Sequence, residues 1–162
     1  MSKKQSAVLI VDDDKTIRVS LAAILEQEGY AVETAENGAE ALRKSKGRLF
    51  DIALIDMRLP DMNGTELLNS FPVTTPKMGK IMVTGFPSLQ NAVDSVNEGA
   101  DGYILKPVNA EDLLKAIEKQ LEKRAAEAKY SEKKVTEYIQ TRAKELTRMK
   151  AESRKSADEK RT

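Results

Sequence analysis

Short apolar segments alternate with amphipathic segments along the first two thirds of the chain. Continuous or alternating apolar runs of this kind are typical of strands, and apolar positions three and four residues apart are typical of helices. The strand-like segments are residues 7–11, 30–34, 50–55, 80–84 and 102–105. Strands that alternate with helices predict a parallel sheet covered on both faces, and right-handed crossovers favour a doubly wound α/β sheet.

Capping residues and glycines mark the ends of the predicted helices. Asp14 precedes the apolar positions of the first helix and can accept its first backbone N–H groups. Ser88 starts the fourth helix, and Gly99 ends it. The spacing within this fourth helix predicts three residues that face the sheet, namely Ala92, Val93 and Val96.

The last third of the chain has a different pattern. No glycine or proline follows Asn109, and apolar residues recur at helical spacing as far as Met149. We therefore predict one long helix over residues 110–149, with residues 150–162 frayed. The predicted organisation is a globular domain over residues 1–124 and a charged helical tail over residues 125–162.

Charge divides the chain in a similar way. Residues 1–121 hold 14 basic and 18 acidic side chains, a net −4, whereas residues 122–162 hold 13 and 8, a net +5. The absence of His and Cys excludes a Ser-His-Asp triad, a thiol nucleophile and a His- or Cys-ligated metal. No apolar run approaches the roughly 18 residues of a membrane span, and no signal peptide is evident, so we expect a cytoplasmic protein without membrane partners.

Reactive side chains follow the predicted strands at their carboxyl ends. Asp12 and Asp13 follow the first strand, Asp56 the third, Thr84 ends the fourth, and Lys106 follows the fifth. Because the carboxyl ends of parallel strands share one edge, these side chains are predicted to converge there. Clustered carboxylates favour a hard cation such as Mg²⁺, and a carboxylate can act as a nucleophile toward a phosphoryl group.

Each of these residues also has an ordinary structural interpretation. An aspartate after the first strand can cap the first helix, which suits Asp14, although capping does not explain Asp56. Thr84 is a β-branched residue in a strand, and Lys106 is unremarkable as a surface lysine. Their convergence is what favours a site.

Four sequence segments resemble the receiver domains of two-component response regulators. They occur in the family's order and spacing within residues 7–121, and they read VLIVDDDKTIR, DIALIDMRLPDMNG, VTGFPS and GYILKP. The resemblance implies a flavodoxin-like, five-stranded parallel sheet of order 2-1-3-4-5, followed here by an extended C-terminal helix.

The resemblance also implies a role for each acidic residue. Asp56 corresponds to the phosphoacceptor, which takes a phosphoryl group from a partner histidine kinase or phosphotransfer protein. Asp13 and Asp56 correspond to Mg²⁺ ligands together with the backbone carbonyl of Arg58, and Asp12 helps to hold the ion through water. The resemblance implies no enzymatic activity beyond Mg²⁺-dependent self-phosphorylation and autodephosphorylation.

A conformational switch is implied by three further residues. Lys106 corresponds to the phosphate-binding lysine, Thr84 to the switch hydroxyl and Tyr103 to the aromatic switch that turns inward with it. The Lys106–Pro107 peptide bond is expected to be cis. The face formed by the fourth helix, fifth strand and fifth helix is then expected to bind a downstream protein.

Two bulky residues suggest a long-lived aspartyl phosphate. Arg58 and Phe86 lie two residues beyond Asp56 and Thr84, where we expect them to flank the path of a hydrolytic water. Neither side chain is a carboxylate or an amide suited to orienting that water.

Several functions stay open from the sequence alone. A relay or interaction protein without a separate output domain is favoured, because the tail shows no second fold pattern. The basic C-terminal helix could instead bind nucleic acid, although its charges are mixed and aromatic residues are scarce. A Mg²⁺-dependent phosphohydrolase would use the same acids, and the long helix could form a homodimer.

Overall fold

The computed structural model describes residues 6–74, 77–85 and 88–161. It contains a five-stranded parallel sheet of order β2-β1-β3-β4-β5, which confirms the predicted topology. The strands are β1 (Ala7–Val11), β2 (Ala31–Ala35), β3 (Ile52–Asp56), β4 (Gly79–Thr84) and β5 (Gly102–Leu105). The helices are α1 (Lys15–Gln27), α2 (Gly38–Gly47), α3 (Gly64–Ser70), α4 (Leu89–Asn97) and α5 (Ala110–Arg161).

Burial on both faces of the sheet explains why the sequences of β1 and β3 are unbroken apolar runs. Every residue of β1 and β3 is buried, because helices cover both faces of the sheet. One face packs against α2 and α3 through residues such as Ala41, Leu67 and Leu68. The opposite face packs against α1 and α5 through residues such as Leu21, Leu25, Leu113 and Ile117.

Helix α4 differs from the sequence prediction. Val93 and Val96 are exposed, with 43% and 66% of their surfaces accessible, and Ser95 is the residue that the helix buries. The prediction that both valines face the sheet was therefore wrong. Ser95 can be buried because its hydroxyl donates to the carbonyl of Asn91, 2.7 Å away, within the helix.

The C-terminal helix is longer than predicted. Helix α5 continues beyond Met149 to Arg161, through the segment for which the sequence predicts fraying. This segment contains no glycine or proline and is rich in lysine, glutamate, arginine and alanine, which favour helix. The chain divides into two compact units, Met1–Ala125 and Ala126–Thr162, with the division inside α5. No helix of the described ranges has the length and hydropathy needed to cross a bilayer.

Candidate functional site

Three carboxylates meet at the carboxyl edge of the sheet. Val11 of β1 is paired with Ile55 of β3, so the residues that follow them, Asp12 and Asp56, lie side by side. Asp12, Asp13 and Asp56 each offer a carboxylate oxygen within 4.8 Å of the others. Asp12 and Asp56 are buried, whereas Asp13 is exposed and leaves one side of the cluster open to solvent.

The amine of Lys106 enters the same cluster from the loop after β5. Its Nζ lies 2.8 Å from Asp12 Oδ2 and 3.4 Å from Asp56 Oδ1. Burial favours the neutral amine, but the hydrogen bonds and charges of the two carboxylates outweigh it and raise the pKa of Lys106 above its ordinary value. Lys106 is therefore a fixed positive charge beside Asp56.

Asp56 carries a carboxyl group whose pKa is raised above its ordinary value. Burial is the largest cause, and the neighbouring charge of Asp12 adds to it, with a smaller contribution from Asp13. The Lys106 ammonium opposes both effects without cancelling them. A cation held among the three carboxylates would stabilise the ionised form of Asp56.

Asp12 is held in place by backbone and side-chain contacts. Its Oδ1 accepts the backbone N–H of Asp14 at 2.9 Å, and its own carbonyl accepts Nη1 of Arg18 at 2.7 Å. Asp14 caps α1 as predicted, because its side chain accepts the N–H groups of Thr16 and Ile17. The sequence reasoning missed the contact of Arg18 with Asp12. The position of Arg18, one helical turn beyond Asp14, could have indicated that its side chain reaches back to the end of β1.

The predicted switch residues lie beside this cluster. The backbone carbonyl of Thr84 accepts the N–H of Lys106 at 2.8 Å, and Thr84 is fully buried next to Val83, the strand partner of Asp56. Tyr103 packs against the core, where burial raises the pKa of its phenol. Its hydroxyl is buried and has no hydrogen-bond partner among the described residues. The Lys106–Pro107 bond is cis, as the resemblance implies.

The loop between β3 and α3 is closed by backbone hydrogen bonds. The N–H of Gly64 donates to the carbonyl of Met57 at 2.8 Å, and the N–H of Leu59 donates to the carbonyl of Met62 at 3.1 Å. Arg58 lies in this loop, where it forms an isolated bridge with Asn63. The backbone carbonyl of Arg58, a predicted cation ligand, therefore lies in a segment that these hydrogen bonds hold in place. Phe86, the other residue of the phosphate-lifetime hypothesis, lies outside the described residues.

Asp61 fastens that loop to α2. Its two carboxylate oxygens accept the N–H groups of Gly38 and Ala39, each at 2.9 Å, and these bonds lower the pKa of Asp61 below its ordinary value. The side chain of Met62 also packs where a Cβ on Gly38 would stand. Sequence reasoning missed this contact, because Asp61 is 23 and 22 positions away from Gly38 and Ala39.

The donor set of the cluster fits a divalent cation. It supplies only carboxylate oxygens, which hard divalent ions prefer, and one side is open where water can complete the coordination. Three carboxylates lie around the single ammonium of Lys106, and a divalent cation would balance the remaining negative charge.

We expect Asp56→Asn to raise the melting temperature of the metal-free protein by a few degrees at neutral pH. Because the folded-state pKa of Asp56 is raised, stability is lost as pH rises from the ordinary aspartate pKa through the raised value. The asparagine amide does not ionise, so the variant avoids this loss of stability. Its higher melting temperature should therefore disappear below the ordinary aspartate pKa. Melting curves in a chelator across this pH range measure it. Asp158→Asn, in the exposed tail, is the control, and a lower melting temperature for Asp56→Asn contradicts the expectation.

The sequence matches the family described as the response regulator receiver domain over residues 8–118. It is 38% identical over 111 residues to the acid tolerance regulatory protein ActR of Rhizobium meliloti, covering 68% of this chain and 57% of ActR. It is 36% identical over 128 residues to the alginate biosynthesis transcriptional regulatory protein AlgB of Pseudomonas aeruginosa, covering 79% of this chain. The aligned region spans only 28% of AlgB.

Solved structures give the same assignment. A CheY-like response regulator receiver domain protein from Methanospirillum hungatei is 51% identical, with a TM-score of 0.72 over 75% of this chain and 98% of that one. A response regulator protein from Burkholderia pseudomallei, solved with a phosphorylated aspartic acid, a calcium ion and citrate, is 32% identical. Its TM-score is 0.65, covering 76% of this chain and 74% of that chain.

Proposed function

Because the chain belongs to the response regulator receiver domain family, we propose that Asp56 accepts a phosphoryl group from a histidine of a partner kinase or phosphotransfer protein. The observation that carries this proposal is the arrangement around Asp56. Its buried carboxylate shares one sheet edge with two further carboxylates and lies 3.4 Å from the amine of Lys106. The groups proposed as nucleophile, cation ligands and phosphate-binding charge therefore lie close together.

The proposed reaction is an in-line transfer between two side chains. A carboxylate oxygen of Asp56 forms the new O–P bond while the N–P bond to the donor imidazole breaks, and the imidazole nitrogen retains the electron pair. Lys106, now paired with Asp12 and Asp56, would hold an oxygen of the transferred group. Asp12, Asp13 and Asp56, with the carbonyl of Arg58, would bind Mg²⁺, which supplies charge neutralisation.

We further propose that phosphorylation changes the exposed surface of α4 and β5. The backbone N–H of Lys106 donates to the carbonyl of Thr84. A shift of the Lys106 side chain toward a phosphoryl group would therefore occur next to the proposed switch residues Thr84 and Tyr103. The nearby surface is apolar and exposed, with Leu89, Val93 and Val96 on α4 and Leu105 on β5. Exposed apolar clusters are typical of surfaces that bind proteins.

A relative supports the proposed phosphoacceptor and the proposed cation site. The Burkholderia pseudomallei protein carries a phosphorylated aspartic acid and a calcium ion, and it shares the fold over 76% of this chain. The resemblance of the DIALIDMRLPDMNG segment assigns the acceptor role here to Asp56.

Incubation with a small phosphoramidate donor tests the proposal. We expect the wild-type chain to gain one phosphoryl group in Mg²⁺, measured by intact mass, and at least tenfold less in a chelator. Asp56→Asn should gain none, because an amide is not nucleophilic enough to replace the carboxylate. Asp101→Asn, at the amino edge of the sheet, is the matched control and should be phosphorylated normally. Equal uptake by wild type and Asp56→Asn would overturn the proposal.

A further inference from the structure

The helix of the second unit presents an uncovered apolar stripe. Five large apolar side chains between residues 135 and 149 are 48–70% exposed, namely Val135, Tyr138, Ile139, Leu146 and Met149. At about 100° per residue they fall within roughly one third of the helix circumference. Because helices gain most of their stability from packing an apolar face, this stripe indicates a partner surface.

Two charged residues interrupt the stripe on the same face. Glu132 and Arg142 occupy positions of the 3–4 repeat that also contains Val135, Ile139 and Leu146. Within one helix they are ten residues apart, or roughly 15 Å, so they cannot pair with each other. A charge enclosed in an apolar seam is costly unless an opposite charge faces it. Arg142 also pairs with Glu145 of its own helix at 3.2 Å, but Glu145 lies one position outside the 3–4 repeat and the two side chains are 58% and 47% exposed. A covering partner is therefore expected to supply a cation opposite Glu132 and an anion opposite Arg142.

A second copy of the same helix in antiparallel orientation meets this requirement. Let the two helices lie side by side in opposite directions, with Glu137 of both copies at the same level. Glu132 then faces Arg142 of the second copy, and the reverse pair forms by symmetry. In the same register Val135 faces the second copy's Ile139. The small Ala128 faces the large Leu146 of the second copy. Charge and side-chain size are thus complementary in every layer from residue 128 to residue 146.

A parallel arrangement lacks this complementarity. It places Glu132 against Glu132 and Arg142 against Arg142, so like charges meet inside the seam. We infer that residues 128–146 form an antiparallel two-stranded coiled coil between two copies of this chain. The seam is about three heptads long, and we expect a dissociation constant in the micromolar range. The seam lies in the unit Ala126–Thr162 and Asp56 in the other unit, so this inference does not rest on the proposed phosphorylation.

Disulfide trapping tests the orientation. The chain contains no cysteine, so a single introduced thiol has no competitor. Ala128→Cys and Leu146→Cys variants, mixed and oxidised, should give chiefly the mixed disulfide, because these positions face each other only in the antiparallel register. Homodisulfides in each variant alone, with little mixed product, would indicate a parallel pair and overturn the inference.

Charge exchange tests the pairing. Sedimentation equilibrium of the full chain should show a dimer, and Glu132→Arg should weaken it at least tenfold because both symmetric pairs then carry like charges. The double variant Glu132→Arg with Arg142→Glu should recover wild-type affinity. Glu137→Arg with Lys144→Glu, on the opposite helix face, is the matched control and should leave affinity unchanged. A monomeric wild type at several hundred micromolar, or a double variant as weak as the single one, contradicts the inference.

Discussion

Replacing Gly64 by alanine is expected to lower the free energy of unfolding by about 2–3 kcal/mol. Gly64 begins α3 directly behind Asp56, where an added Cβ would lie 2.3 Å from the Asp56 carbonyl oxygen and 2.7 Å from Cε of Met82. The methionine end can move, but a backbone oxygen in a central strand cannot move without displacing Asp56 itself. We therefore expect reduced phosphoryl uptake as well as reduced stability, measured by urea unfolding and intact mass.

Gly47→Ala is the matched control for this substitution. Gly47 is the last residue of α2, and an added Cβ there meets no described atom within 4 Å. Alanine is the better helix former, so the free energy of unfolding should stay unchanged or rise by up to about 1 kcal/mol. Equal losses in the two variants would show that the close approach of α3 to Asp56 is not the cause.

Replacing Asp51 by alanine is expected to lower the free energy of unfolding by about 2–4 kcal/mol. Its Oδ1 pairs with Nη1 of Arg124 at 2.6 Å, and its Oδ2 accepts the N–H of Ala7 at 2.7 Å. Both charged side chains are only 13–14% exposed, so removing the carboxylate leaves a mostly buried guanidinium without this counter-charge. Arg124 also donates from Nε to the carbonyl of Lys77, which ties α5 to the loop before β4.

A surface ion pair provides the comparison. Lys115 pairs with Glu111 at 3.0 Å, but these side chains are 71% and 74% exposed. Exposed pairs contribute little, so Lys115→Ala should change the free energy of unfolding by no more than about 0.5 kcal/mol. If Asp51→Ala cost as little as Lys115→Ala in urea unfolding, the Asp51–Arg124 pair would not be a principal contact of the fold.

The two edges of the sheet differ in how the charges of their acidic side chains are compensated. At the amino edge, acidic side chains are satisfied: Asp51 pairs with Arg124, and Asp101 accepts the N–H of Lys80 at 2.9 Å. At the carboxyl edge, Asp12 and Asp56 share the ammonium of Lys106, Asp13 adds a third carboxylate, and the pKa of Asp56 remains raised. The uncompensated charge at the carboxyl edge fits an edge that binds a cation and a phosphoryl group.

Local patterns sufficed to predict the sheet and the convergence of its reactive residues. Strands such as Ala7–Val11 are buried on both faces and therefore read as continuous apolar runs. Once the strands are parallel, their carboxyl ends share an edge, so Asp12 and Asp56 were predicted to lie on the same edge although 44 positions separate them. The strand order implied by the resemblance then placed the first and third strands side by side, as the structure has them. The position of Lys106 followed from the same reasoning.

Contacts between distant loops and helix faces could not be predicted in this way. The bonds from Asp61 to Gly38 and Ala39 and the pair Asp51–Arg124 depend on the folded arrangement, and no spacing rule marks them. The exposure of Val93 and Val96 was missed because helical spacing identifies an apolar face without saying whether the protein itself covers it. At α4 and in residues 126–161, such a face stays uncovered.

Reductive trapping of the phosphorylated residue tests the central proposal most directly. Borohydride reduces an aspartyl phosphate to homoserine, which peptide mass spectrometry then locates in the chain. After reaction with a phosphoramidate donor in Mg²⁺, we predict homoserine at position 56 and at no other aspartate. Homoserine at another position, or phosphoryl incorporation without any homoserine at position 56, would contradict the assignment of Asp56 as the phosphoacceptor.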